Sequence, residues 1–305
     1  MTLYFAVRPW AAWPDDNTTT VRESHGRFGK NHVSGRPSCQ TDGASVNNTD
    51  PRGLQKIVVL NPKGGCGKTT LATNLASLYA IRGAAPTLLD FDPQGFSMRW
   101  LEKRPADRAE IVGIAACDRP VDCAWALRGD VRSNILIVDL PAALPSHALD
   151  AFAQIADRIL IPVMPSEIDV HAATRLIERL LLATRLDRND RRLAIVASRV
   201  RSHTKSFQML MRFLTSLRIP LIAVIRDSQN FVQAAAQGIG VCELPAYKAR
   251  DDVAQMNAIV AWLENPAGYL TSASSIESLD LVEPQSAQTE WPGDVDTRAE
   301  AIGVN

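Results

Sequence analysis

The 305-residue sequence carries 33 basic and 33 acidic side chains, so its formal net charge is zero, and 46% of its residues are hydrophobic. This length and composition suit one large α/β domain or two small ones. The five cysteines show no C-x-x-C spacing, and the N-terminal apolar patch lacks both a basic flank and a run of bilayer-spanning length. We therefore expect a soluble, cytoplasmic protein with reduced thiols, and we exclude a secreted or membrane-spanning one.

The zero net charge hides an uneven distribution along the chain. Residues 1–53 carry 6 basic and 5 acidic side chains, residues 54–265 carry 26 and 21, and residues 266–305 carry 1 and 7. The basic excess is concentrated in residues 171–226, which hold 12 Lys/Arg against 3 Asp/Glu. Such an asymmetry needs a partner or another physical reason.

Composition also predicts the domain boundaries. Residues 11–53 are rich in Asn, Thr, Ser, Gly and Asp and contain few aliphatic side chains, so they cannot bury enough apolar surface to offset the entropy of ordering. We therefore predict a disordered leader over residues 1–53 and a single folded domain over residues 54–265. Residues 266–305 are acidic and aperiodic, which predicts a second disordered tail.

Between these tails, short apolar runs alternate with longer segments of helical periodicity. Six continuous apolar runs predict buried strands, at 56–60, 86–92, 134–140, 158–163, 192–198 and 220–225. Five longer segments predict helices, at 69–82, 146–156, 166–187, 203–217 and 249–264. This alternation predicts an α/β fold with a doubly wound, mostly parallel sheet covered by helices on both faces. Ligands of such sheets bind at the carboxyl ends of the strands.

A glycine-rich stretch, KGGCGKTT, follows the first of these strands and opens the first helix. The usual phosphate-loop pattern, G-x-x-x-x-G-K-[ST], would place a glycine at position 62, where this chain has Pro62. Gly64, Gly65 and Gly67 nevertheless allow the backbone N–H groups to surround a phosphate at a helix N-terminus. The Lys68 ammonium can reach the β- and γ-phosphates, and the Thr69 hydroxyl can bind Mg²⁺.

Acidic side chains end two further strands. Asp90 and Asp92 close the second strand, and Asp139 closes the third as a Walker B acid does. Asp139 can hold Mg²⁺ directly or through water, and Asp92, before the turn-forming PQG, can orient water or a metal. For Asp90, capping of the next helix is an equally good interpretation. The glycine-rich loop and these two acidic stretches, each following or ending a strand, together predict a nucleotide–Mg²⁺ site.

The ordered motifs resemble those of the ParA/MinD superfamily of ATPases, over about residues 54–264. KGGCGKTT is similar to the deviant Walker A motif of that superfamily, and DFDPQG, VDLPA, PSEIDVHAA and RDSQNFVQAAAQGIGVCEL resemble its later motifs. The resemblance implies a P-loop NTPase fold of the deviant Walker A class. It also implies that Lys63 reaches across a dimer to the nucleotide of the other subunit, as a cation supplied in trans.

The resemblance further implies a set of site residues with ATP and Mg²⁺ as cofactors. Catalytic roles fall to Lys63, Lys68 and Asp92. Metal binding falls to Thr69, Asp92 and Asp139. The nucleotide-binding residues are Lys63, Gly64, Gly65, Cys66, Gly67, Lys68, Thr69 and Thr70.

The function implied is an ATP-dependent dimerisation switch with weak intrinsic ATPase activity. Its homodimer would bind nucleoid DNA without sequence preference, and a ParB-like or adaptor protein would stimulate hydrolysis, so that a plasmid, chromosome or carboxysome-type body is positioned. The basic excess in the C-terminal half fits phosphate contacts that do not distinguish bases. Four residues are the predicted DNA contacts: Arg199, Arg201, Lys205 and Arg226.

Other branches of the superfamily fit less well. A membrane-binding MinD-like protein would end in a basic amphipathic helix, whereas this tail is acidic. Iron–sulfur relatives need suitably placed cysteines, and none of these has a partner pair. An ATP-dependent metabolic ligase of the dethiobiotin synthetase-like type stays as the alternative. Two departures from the superfamily pattern are Ser198, in place of a frequent asparagine near adenine, and Leu140, in place of a small polar residue.

Overall fold

A computed structural model describes residues 53–116, 130, 132–184, 191–202, 204–217 and 219–268. The predicted disordered leader (except Gly53) and the acidic tail beyond residue 268 lie outside the described residues, so both stay predictions. Residues 266–268, which the composition assigned to the tail, form a further helical turn in which the Gly268 N–H donates to Asn265 Oδ1 at 3.0 Å.

The core of the fold is a seven-stranded parallel sheet. Its strand order is β3-β2-β4-β1-β5-β6-β7, and every recorded strand pair is parallel. In chain order the strands are β1 (Gln55–Val59), β2 (Pro86–Asp90), β3 (Val112–Ala115), β4 (Ile135–Asp139), β5 (Arg158–Val163), β6 (Leu193–Val200) and β7 (Leu221–Arg226). This doubly wound architecture confirms the predicted fold class.

Helices cover both faces of the sheet. In chain order they are α1 (Lys68–Ile81), α2 (Phe96–Glu102), α3 (Ser146–Ile155), α4 (Glu167–Thr184), α5 (Lys205–Leu217), α6 (Gln229–Ala236) and α7 (Ala246–Glu264). A short 3₁₀ turn, Val241–Glu243, lies between α6 and α7. Among the described residues, none of these helices combines the length and the apolar character needed to span a bilayer.

Two apolar layers bury the sheet, because successive strand side chains point to opposite faces. In β1, Val58 packs with α3, α4 and α5, whereas its neighbours Ile57 and Val59 pack with α1, α2, α6 and α7. All three side chains are fully buried. A strand buried on both faces reads as an unbroken apolar run, which is why the sequence identified these strands.

The six predicted strands and five predicted helices are all present, with boundaries shifted by a few residues. The structure adds β3, α2, α6 and the 3₁₀ turn, which the sequence analysis did not predict. Each is short: α2 has seven residues, and the four residues of edge strand β3 alternate between half-buried and exposed. Such segments carry too few apolar positions to establish a period.

The strand order brings three strand ends together. β4 lies between β2 and β1, and its register pairs Asp139 with both Asp90 and Val59. The glycine-rich loop that follows β1 therefore begins beside the acids that end β2 and β4. The sequence placed these groups at strand ends, and the sheet order makes them neighbours.

Candidate nucleotide site

The glycine-rich loop ends at the first helix in a conformation that needs glycine. Gly67 caps α1 with φ +92°, and Gly65 has φ +78°, both in the left-handed region that favours glycine. A Cβ on Gly67 would also lie 2.8 Å from Ser198 Oγ. Gly67 offers no side-chain acceptor to the first turn of α1, so those N–H groups are available to an anion.

Hydrogen bonds to one peptide segment hold the loop in shape. Lys68 Nζ and Cys66 Sγ both donate to the Lys63 carbonyl oxygen, at 3.1 and 3.2 Å. The Lys63 N–H donates to Asn61 Oδ1 at 2.8 Å, and Asn61 Nδ2 donates to the Pro162 carbonyl at 2.7 Å, which anchors the loop to β5. The Lys68 side chain is therefore buried and positioned at the helix N-terminus, while Lys63 is half-exposed.

Asp139 is the buried acid of the site. It is 1% exposed, and its Oδ2 accepts a 2.6 Å hydrogen bond from Ser97 Oγ. Its Oδ1 has no hydrogen-bond donor among the described residues, although the Thr69 side chain is near enough to lower its pKa. Burial is the largest influence, and together with the charge of Asp90 it outweighs the hydrogen bond from Ser97, so the pKa of Asp139 is raised to about 7.

Asp90, the last residue of β2, and Asp92, two residues later, have different surroundings. Asp90 is fully buried, and burial raises its pKa. Its Oδ1 accepts from the Asp92 N–H at 2.9 Å and its Oδ2 from the Met98 N–H at 3.3 Å, so it fixes the turn and the first residues of α2. This is the helix-capping role. Asp92 is half-buried and its Oδ1 accepts from the Gln94 N–H at 2.9 Å, which leaves it at the solvent-facing side of the site.

These residues fit a nucleoside triphosphate with Mg²⁺. A buried carboxyl oxygen without a donor, beside a threonine hydroxyl, is a site that a divalent cation would complete. The glycine loop and Lys68 supply N–H donors and one positive charge for phosphate. Bound Mg²⁺ would neutralise phosphate charge, and Thr69, Asp139 and the half-buried Asp92 are the residues placed to hold it.

The four predicted DNA contacts differ in their surroundings. Arg201 pairs with Asp227 at 2.9 Å, and Arg199 lies 3.6 Å from the same carboxylate. Arg226 is held by Asp252 through two hydrogen bonds of 2.6 and 3.0 Å. Lys205 is exposed, and the structure records no ion pair for it within the described part of the chain.

Arg226 has a structural task that its sequence context did not show. Asp252 is fully buried, and Arg226, Asn230 and Ser228 all donate to it. Burial alone would raise the pKa of Asp252, but these donors outweigh it and the pKa is lowered. Removing the guanidinium would leave the buried Asp252 carboxylate without its cationic partner and destabilise the fold. Arg226→Ala is therefore a poor test of DNA binding.

Two features of the site were missed from the sequence. Ser97 ties α2 to Asp139, and the serine in DPQGFS, five residues after Asp92, was the available signal. The second is a buried ion pair, Arg104–Glu243, at 2.9 Å, with both side chains at most 5% exposed. It connects the end of α2 to the 3₁₀ turn, 139 residues away, and no local pattern announces it.

The fold and this site together define a P-loop nucleotide-binding protein whose loop carries an additional lysine. Residues 57–241 match the family described as the CobQ/CobB/MinD/ParA nucleotide binding domain, so the chain belongs to that family. This membership confirms the ParA/MinD resemblance that the motifs indicated.

Two curated proteins and one solved structure are similar to this chain over most of their own length. The chain is 29% identical over 209 residues to a maintenance of carboxysome distribution protein A from Gloeobacter kilaueensis (68% of this chain, 93% of that protein). It is 26% identical over 205 residues to the protein of the same name from Halothiobacillus neapolitanus (67% and 94%). A solved Borrelia burgdorferi putative plasmid partition protein bound to AMPPNP has a TM-score of 0.57 at 13% identity, covering 70% of this chain and 99% of that one, which shows the shared fold.

Proposed function

We propose that this protein is an ATP-dependent positioning switch. ATP with Mg²⁺ binds at the loop between β1 and α1, the liganded chain dimerises, and the dimer binds DNA non-specifically in the cytoplasm. The observation that carries the proposal is the arrangement around Lys68: a glycine-capped helix N-terminus lies beside the buried Asp139, one oxygen of which has no donor among the described residues.

Lys63 supports the dimerisation step. Its backbone is fixed by Asn61 and by the two donors to its carbonyl oxygen, yet its side chain is half-exposed and the described residues provide no acceptor for its ammonium. A rigidly based cation beside a phosphate site suits a phosphate of a second subunit. Lys63→Ala should therefore retain nucleotide affinity and lose ATP-dependent dimerisation, as measured by light scattering.

The relatives favour an intracellular body as cargo. Both carboxysome distribution proteins align over more than nine-tenths of their own length, so the similarity extends across their whole fold. A plasmid or chromosome stays the other cargo class. In either case a ParB-like or adaptor protein would stimulate slow hydrolysis, with Asp92 orienting water, and release the dimer from DNA.

DNA affinity in three nucleotide states tests the proposal. We expect a mixed-sequence duplex to bind much more tightly with ATP than with ADP or without nucleotide, because only the dimer presents two basic faces together. Affinity should fall with salt at a log–log slope of about −0.9 for each phosphate neutralised. Anisotropy of a labelled duplex measures both. Equal affinity in all three states would exclude the switch.

Variants make this test specific. Lys68→Ala should abolish ATP binding and with it the nucleotide effect. Lys205→Ala should weaken DNA binding for all sequences alike, whereas Lys248→Ala, an exposed lysine on α7, is the matched control. The ligase alternative predicts a different result: no nucleotide-linked DNA affinity, and ATP turnover that requires a small acid or amine.

A further inference from the structure

A groove of about 490 Å³ opens beside the nucleotide site, between α1, α2 and α6. The hydroxyl-bearing first turns of α1, including Thr69, form one wall. Phe96 and Arg99 of α2 and the C-cap residue Lys103 form the second wall, and Val232 of α6 lies on the third. Thr69 thus belongs both to this groove and to the proposed Mg²⁺ site.

The groove combines exposed apolar surface with positive charge. Phe96 is 50% exposed and Val232 is 61% exposed, so two large apolar side chains from different helices line the same groove. The Arg99 guanidinium lies 4.6 Å from the centre of the Phe96 ring, and Lys103 follows one helical turn later. No acidic residue lines the groove among the described residues; Glu102 of α2 is exposed but lies outside the lining.

A matching segment exists in the same chain. Residues 269–305 contain seven acidic residues and one basic residue, and the stretch 276–283, IESLDLVE, interleaves three acids with four aliphatic side chains. Acids would pair with Arg99 and Lys103 while the aliphatic residues cover Phe96 and Val232. The positive middle and negative tail of the sequence then compensate each other.

The chain is long enough for this contact. The Leu263 carbonyl accepts from Gln55 and Arg158, at the starts of β1 and β5. The last turn of α7 therefore lies at the amino ends of the strands, whereas the groove lies near their carboxyl ends. α7 has 19 residues, which corresponds to about 28 Å. Residues 269–279, which lead to the central acid Asp280, span up to about 37 Å when extended, which exceeds that separation.

We propose that residues 276–283 dock in the groove formed by α1, α2 and α6 and restrain the nucleotide switch. Docking covers the groove wall that includes Thr69, so it hinders access of ATP and Mg²⁺ to the Thr69 hydroxyl. The restraint rests on the proposed function, whereas the docking itself does not. A partner or DNA that displaces the acidic segment would uncover Thr69 and raise ATP turnover.

Binding of a labelled peptide, residues 272–287, to the full chain tests docking. The full chain should carry Glu277→Gln, Asp280→Asn and Glu283→Gln, so that its own segment does not compete. We expect saturable binding by anisotropy that weakens at least fivefold when Arg99→Glu and Lys103→Glu are added. The matched control is Arg108→Glu with Lys248→Glu, two exposed cations outside the groove, which should change affinity less than twofold. No binding, or binding equal in both charge-reversed proteins, overturns the docking site.

ATP turnover tests the restraint separately. The acid-neutralised full chain should hydrolyse ATP at least threefold faster than the parental chain, and the Arg99→Glu, Lys103→Glu chain should match it. If the peptide binds but both variant chains hydrolyse ATP at the parental rate, the docking site stands and the proposed restraint is wrong. If no variant, including the parental chain, hydrolyses ATP, the proposed function fails while the peptide result still decides docking.

Discussion

At the scale of single residues, three acids with the same side chain occupy three different environments. Asp139 is buried with one oxygen unpaired, Asp90 is buried with both oxygens accepting backbone N–H groups, and Asp92 is half-buried. Desolvation raises the pKa of the first two because it disfavours the charged form. Only Asp139 therefore combines burial with an oxygen left for a cation.

Ser97 should act as a positioning residue for Asp139. Ser97→Ala removes the 2.6 Å hydrogen bond and leaves the carboxylate free to turn, so we expect the Mg²⁺ concentration for half-maximal ATP hydrolysis to rise about tenfold. Ser97→Thr keeps the hydroxyl and should restore most of the Mg²⁺ affinity. Mg²⁺ titrations of ATPase activity measure this. A Ser97→Ala protein with parental Mg²⁺ dependence would contradict the role.

Asp139 should make the nucleotide-free protein less stable as pH rises. Its pKa is about 7 in the folded state against 3.8 as the ordinary value, so between these pH values the folded state binds more protons than the unfolded state. The free energy of unfolding therefore falls as pH rises from about 4 to 7. Asp139→Asn should remove most of this slope and leave the part due to Asp90. Thermal melts across pH 5–8 check it, and an unchanged slope in the variant would show that another group is responsible.

At the scale of secondary-structure elements, short segments connect the site to the rest of the domain. α2 begins at the Gly95 cap, contacts Asp139 through Ser97, and ends beside Arg104. Arg104 donates to Glu243, and the same carboxylate accepts from the Gly240 N–H and from Ser77 of α1. Burial alone would raise the pKa of Glu243, but these donors outweigh it and the pKa is lowered.

Breaking this ion pair should destabilise the fold. Arg104→Met leaves the Glu243 carboxylate buried without its partner, which costs about 3–5 kcal/mol in the free energy of unfolding. The double variant with Glu243→Gln should be less destabilised than the sum of the two single variants, because no uncompensated charge is left. Urea unfolding of all four proteins measures the coupling. As a surface control, Arg132→Met should cost under about 1 kcal/mol, since its ion pairs are exposed.

At the scale of the whole molecule, one parallel sheet is covered by two apolar layers. The candidate site lies at the carboxyl ends of its central strands. The described core begins with Leu54, which directly precedes the central strand β1 and is 3% exposed. The composition of the preceding residues has no core-forming pattern.

Deleting residues 1–52 should therefore leave the melting temperature within about 2 °C of the full-length value and preserve ATP affinity. Differential scanning calorimetry and nucleotide titration check the two properties. Deletion that extends through Leu54 is the matched comparison, because it removes a buried side chain and should lower the melting temperature. A fall of several degrees on the shorter deletion would assign the leader to the fold.

The amino-acid sequence was sufficient to predict the sheet class, the glycine-rich loop and the acids at strand ends. These features are local: buried parallel strands are continuous apolar runs, and a phosphate loop is one contiguous stretch. The three-dimensional structure was needed to show that Asp90 and Asp139 are buried while Asp92 is half-buried, that Ser97 reaches Asp139 and that Arg226 holds Asp252. Those outcomes depend on strand order and on contacts between residues 26 to 42 positions apart, and no local period encodes which distant side chain will meet a buried charge.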